Sequence, residues 1–452
     1  MKQLFLAFFI FPILLFAQSP EGIFSPTIHG LKLFPRGNQG AMPLIKLNSN
    51  EQLELHFDDL DPNIKNYYYT YLLCDANWQP ADQSSFDYLK GFQQQRISNY
   101  NVSSIARSTY IHYRAILPER DCIPTKSGNY LLKVYLDGDT SQVAFTKRLF
   151  IVNNKVYIAG KIQRPYDNSL AFTHQKLQFT VNTGDLNDPN PAQQLKVVVA
   201  QNYKWDEARY NLQPLFMRGS SLDYDGEGNC IFEAGKEYRF ADLRSSSFSS
   251  YWVDKANRES VPNELLLKVD LNRMMQQYAI YINYSGWMFV TTDEVPEPWW
   301  QADYAKVTFR YAPQDKQPLN GKDVYVVGEL TQNHFDSSNK MTYNPTTNLY
   351  EKTLLLKQGI YSYYYATKDA NAPNASSSMA ATEGNFWETA NDYTILVYYH
   401  SYSSRSDELV GVSTLNSRTS SGGFKQKITI DSQTILRLKR NENEINPLAG
   451  EF

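Results

Sequence analysis

Along much of the chain apolar and polar residues alternate one by one, the period of a strand whose successive side chains point to opposite faces. Leu53, Leu55 and Phe57 alternate with Glu54 and His56, and Leu132, Val134 and Leu136 alternate with Lys133 and Tyr135. Between Lys176 and Asn182, Leu177, Phe179 and Val181 share one face while Gln178 and Thr180 share the other. Val307, Phe309 and Tyr311 repeat the pattern. Two runs are apolar nearly throughout, Leu195 to Ala200 and Asp323 to Gly328, as strands covered on both faces are. Turn residues such as Ser127-Gly128-Asn129, Asp137-Gly138-Asp139 and Lys357-Gln358-Gly359 separate the strands at short spacing. Helical periodicity is scarce. Glu264 to Tyr278 carries Met and Leu at mixed spacing, but Val269, Tyr278, Ile280 and Ile282 favour strands there. The pattern predicts an all-β chain of tandem immunoglobulin-like β-sandwich domains with little helix.

The first residues read differently. Lys2 precedes the apolar run Leu4 to Phe16, which ends at Ala17 before Gln18-Ser19-Pro20. That is the make-up of a signal peptide over residues 1–17, cleaved after Ala17. Pro12 and a run shorter than about 18 residues argue against a membrane-spanning helix. Export follows as an expectation, with no direct membrane insertion of the mature chain. Further along, the strand ending at Val152 gives way to Asn153-Asn154, and Asp293 to Pro298 is a proline-punctuated linker leading into Trp299-Trp300. The expected domains are therefore 18–153, 154–296 and 297–416, followed by a flexible, Ser-rich linker and tail over 417–452.

A length of 452 residues agrees with about three domains at roughly 150 residues each. The 44 basic and 47 acidic residues leave a net charge of −3, which gives no electrostatic footprint for nucleic acid, so no nucleic-acid partner is expected. The 33 Tyr, 24 Phe and 7 Trp change the picture more. Flat aromatic side chains suit strands, and Tyr and Trp are enriched at protein interfaces.

Candidate chemistry is thin. The six histidines, at 29, 56, 112, 174, 334 and 400, form neither HxH nor HExxH spacing and read as hydrogen-bonded surface or edge residues. No GxSxG, GxGxxG or Walker sequence is present. The acid pairs Asp58-Asp59 and Asp293-Glu294 read as solvated turn or linker residues. Asp223 to Gly228 spaces its acids as a calcium loop does, but Ala234 stands where the bidentate Glu belongs, so a turn is expected. No catalytic, cofactor or metal site is expected. Cys74, Cys122 and Cys230 are an odd count for an exported chain. Cys74 and Cys122 are the candidate disulfide, with two separate buried thiols as the alternative.

The run from Val324 to Leu330, with Met341 to Asn344 and Tyr350 to Tyr365, resembles the glycogen-binding module that precedes many amylase-type enzymes. That resemblance implies an immunoglobulin-like fold for the third domain. Its sugar-gripping positions are altered, however. The first Trp position carries His334 or a neighbour, the later strand offers Ser362, Tyr363 and Tyr364 without a Lys in register, and Trp387 is left as a substitute.

A longer resemblance covers residues 20 to 415. Tyr71-Leu72-Leu73-Cys74-Asp75-Ala76-Asn77-Trp78, Tyr88 to Phe92, Tyr110 to Tyr113 and Ser127 to Leu132 carry its first part. His174 to Lys176, Gln201 to Trp205, Gly235 to Phe240, Glu388 to Tyr399 and Asp407 to Gly411 carry the rest. In this order they resemble the type IX secretion system plug protein family of the Bacteroidetes. The resemblance implies a non-enzymatic periplasmic subunit that binds the periplasmic opening of a giant outer-membrane β-barrel translocon and seals it while no cargo is present. It would be a monomer when free, peripherally attached to the outer membrane through its partner. Trp299 and Trp300 are the candidate partner-binding residues, and packing between domains accounts for them equally well. A periplasmic or surface carbohydrate-binding protein using the third domain is the alternative function.

Overall fold

The computed structural model describes residues 20–186, 191–245, 250–279, 284–372 and 375–419. The expected signal peptide, and the expected tail from residue 420 onward, lie outside the described residues. Almost every regular element is a strand, and the strands assemble into three β-sandwiches.

In the first sandwich, a four-stranded sheet runs in the order Ile28–Pro35, Leu53–Asp59, Ile111–Leu117, Asn99–Val102. It faces a six-stranded sheet built on Val143–Val152, Gly128–Leu136 and Tyr67–Cys74. Alternation supplies the core directly. Tyr67, Tyr69, Tyr71 and Leu73 point inward from one strand to meet Leu55, Phe57, Tyr113 and Phe145. Phe57 meets the edges of Tyr67 and Phe145, with ring centroids 5.1 and 4.9 Å apart. Each such buried side chain contributes about 1.5–3 kcal/mol.

The other two sandwiches are interleaved in sequence, unlike the expected domains 154–296 and 297–416. Leu195–Gln201 pairs with Asp392–Tyr399, which pairs with Glu408–Asn416. This sheet closes over Tyr157–Gln163, His174–Asn182 and Ser221–Tyr224, so the last strands of the fold complete the second sandwich. Asn263–Leu267 runs parallel to Tyr304–Ala312, and Arg239–Asp242 pairs with Gly359–Asp369 in the third. Periodicity marks strands but not their partners, which is why the linker at 293–298 looked like a boundary. Over Glu264 to Tyr278 the regular structure is strand, in Asn263–Leu267 and Asp270–Leu271.

The apolar run Leu195 to Ala200 has the environment its composition requires. Val197 and Val199 enter the core of the second sandwich. Val198 and Ala200 face the other way, onto Phe150, Leu131 and Trp78 of the first.

Candidate interaction surface and the joint behind it

The polar face of Leu53–Asp59 was expected to meet water. It does not: all seven residues of the strand are buried. Antiparallel pairing sets Asp58 opposite His112 and His56 opposite Arg114. The outcome is a chain of polar contacts across two strands. Glu54 Oε2 lies 3.1 Å from His56 Nε2, His56 Nδ1 lies 3.1 Å from His112 Nε2, and His112 Nδ1 donates to Asp58 Oδ1 at 2.7 Å. The third sandwich closes the chain, for Lys357 Nζ and Tyr304 Oη donate to Asp58 Oδ2 at 2.6 and 2.5 Å. Burial alone raises the Asp58 carboxyl, but the Lys357 ammonium and His112 outweigh it and hold the group below the usual carboxylate range. Burial pulls His56 down to about 4, against its hydrogen bond to the Glu54 carboxylate, which favours its charged form. Asp59 is also fully buried and accepts from Tyr67 Oη at 2.7 Å.

Trp299 and Trp300 form a single helical turn, Pro298–Gln301, at the entrance to Tyr304–Ala312. Both are half-buried. Trp299 lies flat on His56, centroids 3.8 Å apart and 14° from parallel, with Phe34 and His112 around it. Its carbonyl accepts from Lys357 Nζ, and the Trp300 carbonyl accepts from Ser104 N at 3.1 Å. These residues seal the joint between the first and third sandwiches, the packing role that composition left open. Both ends of the His112–Asp58 dyad are engaged within the joint: His112 Nε2 faces His56 Nδ1, and Asp58 Oδ2 accepts from Lys357 and Tyr304.

Further buried ion pairs tie the sandwiches together. Lys32 Nζ donates to Glu329 Oε2 at 2.7 Å and to the Met288 carbonyl at 2.6 Å. Asp407 accepts from Ala76 N, Lys196 Nζ and His400 Nδ1, linking the second sandwich to the first. Arg148 pairs with Asp206 at 2.9 Å, and Asp206 contacts His334 at 3.0 Å. Within the third sandwich, Glu383 accepts from both Arg239 and Arg273. Those two guanidinium groups overcome the opposing effect of burial and hold its carboxyl at about 2.

The structure also places the cysteines, the calcium-like run and the sugar-gripping positions, and of these only the candidate disulfide changes. Cys74 and Cys122 are free, buried thiols, as is Cys230. The reason is strand geometry: Cys74 follows the inward-facing Leu73 and so faces the second sandwich, whereas Cys122 sits inside the first. Burial pushes both thiols up to about 12. The calcium-like loop is satisfied by a lysine, Lys176 Nζ lying 2.7 Å from Asp225 and 2.5 Å from Glu227. Among the described residues no group of three or more His, Cys, Asp or Glu is placed to hold a metal ion. Finally, Ser362, Tyr363 and Tyr364 are buried, and Trp387 packs on the second core beside Arg164, so these side chains present no sugar-stacking platform.

The surface offers candidates that sequence reading passed over. Leu215, Phe216 and Met217 are consecutive and 53, 57 and 55% exposed. Phe216 and Met217 belong to Phe216–Arg218, an edge strand that among the described residues pairs only with Ser221–Tyr224. Edges are ordinarily blunted by charge or proline, and this one carries three apolar side chains before its first charge, Arg218. The signal was available as an apolar triplet, without alternation, next to the Arg218-Gly219-Ser220 turn.

Residues 28–153 match the type 9 secretion system plug protein 1st domain. The chain is also similar to a hypothetical protein from Parabacteroides merdae ATCC 43184, whose crystal structure was determined at 2.30 Å resolution. The two share 31% identity and a TM-score of 0.84 over 88% of this chain and 98% of that one. The chain belongs to the type 9 secretion system plug protein family. No curated protein matches it. The plug-family first domain spans the first sandwich from Ile28 to its last strand, including Asp58, His56 and His112. Trp299, Tyr304 and Lys357, which complete the joint, lie beyond it. Membership gives the chain a role in type IX secretion. No helix among the described residues is long and apolar enough to cross a membrane.

Proposed function

We propose that this chain is the non-enzymatic periplasmic plug subunit of the type IX secretion system. It is exported by a cleavable signal peptide, is a monomer when free, and binds the periplasmic opening of the giant outer-membrane β-barrel translocon, sealing it while no cargo is present. The observation that carries this reading is the plug-domain match over residues 28–153. Its physical support is the buried ion pairing between sandwiches, which suits a body of fixed outline that blocks an aperture. Apolar edge residues Leu215 to Met217 are the contact we assign to the partner, by addition of a partner strand or loop to the open edge. Trp299 and Trp300 contribute indirectly by holding the joint.

The test is co-purification of the C-terminally tagged protein from envelope solubilised in mild detergent. A very large barrel protein in near-stoichiometric yield is the expected result. Recovery of the protein alone, at low salt and under gentle conditions, overturns the reading. Replacing both Phe216 and Met217 by Asp is expected to lose the barrel while the unfolding midpoint stays in place.

A further inference from the structure

Residues 164–173 join Tyr157–Gln163 to His174–Asn182 at one end of the second sandwich. The loop is tightly folded. Ser169 N and Oγ donate to Asp167 Oδ1 at 2.8 and 2.7 Å, and Thr173 N and His174 N donate to the Leu170 carbonyl at 3.1 and 2.9 Å. Trp387 arrives from far along the chain and locks onto it. Its backbone N–H donates to the Phe172 carbonyl at 3.0 Å, and its own carbonyl accepts from Gln175 Nε2 at 2.6 Å. Arg164 rests on both rings, its guanidinium carbon 4.8 Å from the centroid of Phe172 and 5.6 Å from that of Trp387. Tyr166 is fixed as well: Lys176 Nζ lies 3.9 Å from its ring centroid, and its hydroxyl accepts from Gln163 Nε2 at 3.3 Å.

The Arg164 guanidinium is held in place, exposed to solvent, and accepted by no carbonyl or carboxylate among the described residues. Arg148, Arg209 and Arg239 also lie on rings, but they donate to Asp206, the Ile231 carbonyl and Glu383. Arg120, Arg218, Arg258 and Arg405 are exposed and lie on no ring. Among the described residues Arg164 alone combines a fixed position with open donors. The acids of the surrounding loops are engaged: Asp167 closes its turn, and Asp225 and Glu227 hold Lys176. A planar guanidinium with its N–H donors open matches one carboxylate bidentately. With Lys176 already neutralised, the cluster offers one cation, which suits a carboxylate better than a phosphate dianion. Phe172 and Tyr166 stay 66 and 67% exposed beside it. Arg, Tyr and Trp side chains fixed before contact make strong interface anchors, because little freedom is left to lose on binding. A small free acid would leave the rings uncovered, whereas a peptide segment covers them.

We propose that this cluster is a docking site for an acidic peptide segment of a protein partner, with Arg164 donating to an Asp or Glu carboxylate and Phe172 and Tyr166 covered by the residues around it. The site stands on the cluster alone and is independent of the plug reading. The test is photo-cross-linking of the full-length protein in the cells that produce it. Phe172→benzoylphenylalanine keeps a ring beneath Arg164 and reports what covers it. Tyr402→benzoylphenylalanine, at an 82% exposed position with no cation on its ring, is the control. The expected result is a protein adduct at position 172, absent at 402, on a segment in which Asp or Glu flanks the cross-linked residue. Arg164→Glu, and Arg164→Gln, which keeps a polar stem on the rings without the charge, are each expected to lower the yield about tenfold. Both sit at an exposed position, and an unchanged unfolding midpoint confirms that folding is intact. No protein adduct at 172, an equal yield at 402, a segment without flanking acids, a polysaccharide adduct, or a yield indifferent to Arg164→Gln overturns the proposal.

Discussion

Asp58 and Lys357 stand 299 residues apart in the chain, yet their charged ends meet at 2.6 Å with both side chains sealed from water. The pair joins the four-stranded sheet of the first sandwich to the end of Leu349–Lys357 in the third. Two charges withdrawn from water repay their desolvation only when both are present. Lys357→Met or Asp58→Asn alone is therefore expected to destabilise the protein by about 3–5 kcal/mol. The double replacement is expected to recover much of that loss. Urea unfolding followed by Trp fluorescence measures all three, and single variants that unfold like the parent would remove the pair from the joint.

Acid is expected to weaken the same joint before it affects the rest. In the unfolded chain His56 takes up its proton near pH 6.5, but in the folded chain only at about 4. Between those values the unfolded state binds more protons, so stability is full above pH 6.5 and falls as pH drops through the window, by about 3 kcal/mol for this group. His112 is lowered by burial and acts in the same direction. Glu383 follows at lower pH, between its ordinary 4.5 and about 2. Urea midpoints compared at pH 7.5 and pH 5 test the histidine part, and equal midpoints would contradict it.

The three cysteines are expected to be silent in the native protein. A buried thiol pushed up to about 12 has almost no thiolate at neutral pH, and the thiolate is what reacts. Titration with an aromatic disulfide reagent should detect no thiol in the folded chain and three in denaturant. A reducing agent should leave the thermal midpoint where it is. Detection of only one thiol in denaturant would restore a disulfide.

Gly359 opens the long strand Gly359–Asp369, and a Cβ there would lie 2.2 Å from the Phe289 carbonyl oxygen. The obstacle is backbone, on the neighbouring strand Met288–Val290, so it has no rotamer to yield. Gly359→Ala is expected to cost about 1–3 kcal/mol through strand displacement. Thermal unfolding measures it. Gly37→Ala supplies the contrast: φ is +79° there, but nothing lies within 4 Å, so only the smaller local strain of the left-handed backbone applies.

Strand identity was legible in the sequence because alternation is a local property. Leu53–Asp59, Gly128–Leu136, His174–Asn182 and Tyr304–Ala312 all lie where the apolar period placed them. The fate of the polar positions in between was not legible. Glu54, His56 and Asp58 alternate with the core residues as solvent-facing residues do, and only the arrival of Trp299, Tyr304 and Lys357 from across the chain buries them. Strand partnership was hidden for the same reason, since nothing near Leu195 announces Asp392–Tyr399. The cysteines are an intermediate case. Counting from Leu73 would have put Cys74 on the far face of its strand, and the position of Cys122 requires the fold.

The return of residues 392–416 to the second sandwich sets a condition on how this protein comes to exist. Leu195–Gln201 has to wait nearly two hundred positions for its neighbour, and closing so long a loop slows folding far more than it weakens the finished state. The greasy faces of Val197 to Ala200 stay open until the distal hairpin has been delivered. A chain threaded across a membrane from its N-terminus would meet that condition only when its passage was almost over. Molecules cut short before residue 392 would keep those faces open to proteases, so the topology doubles as a test of completeness.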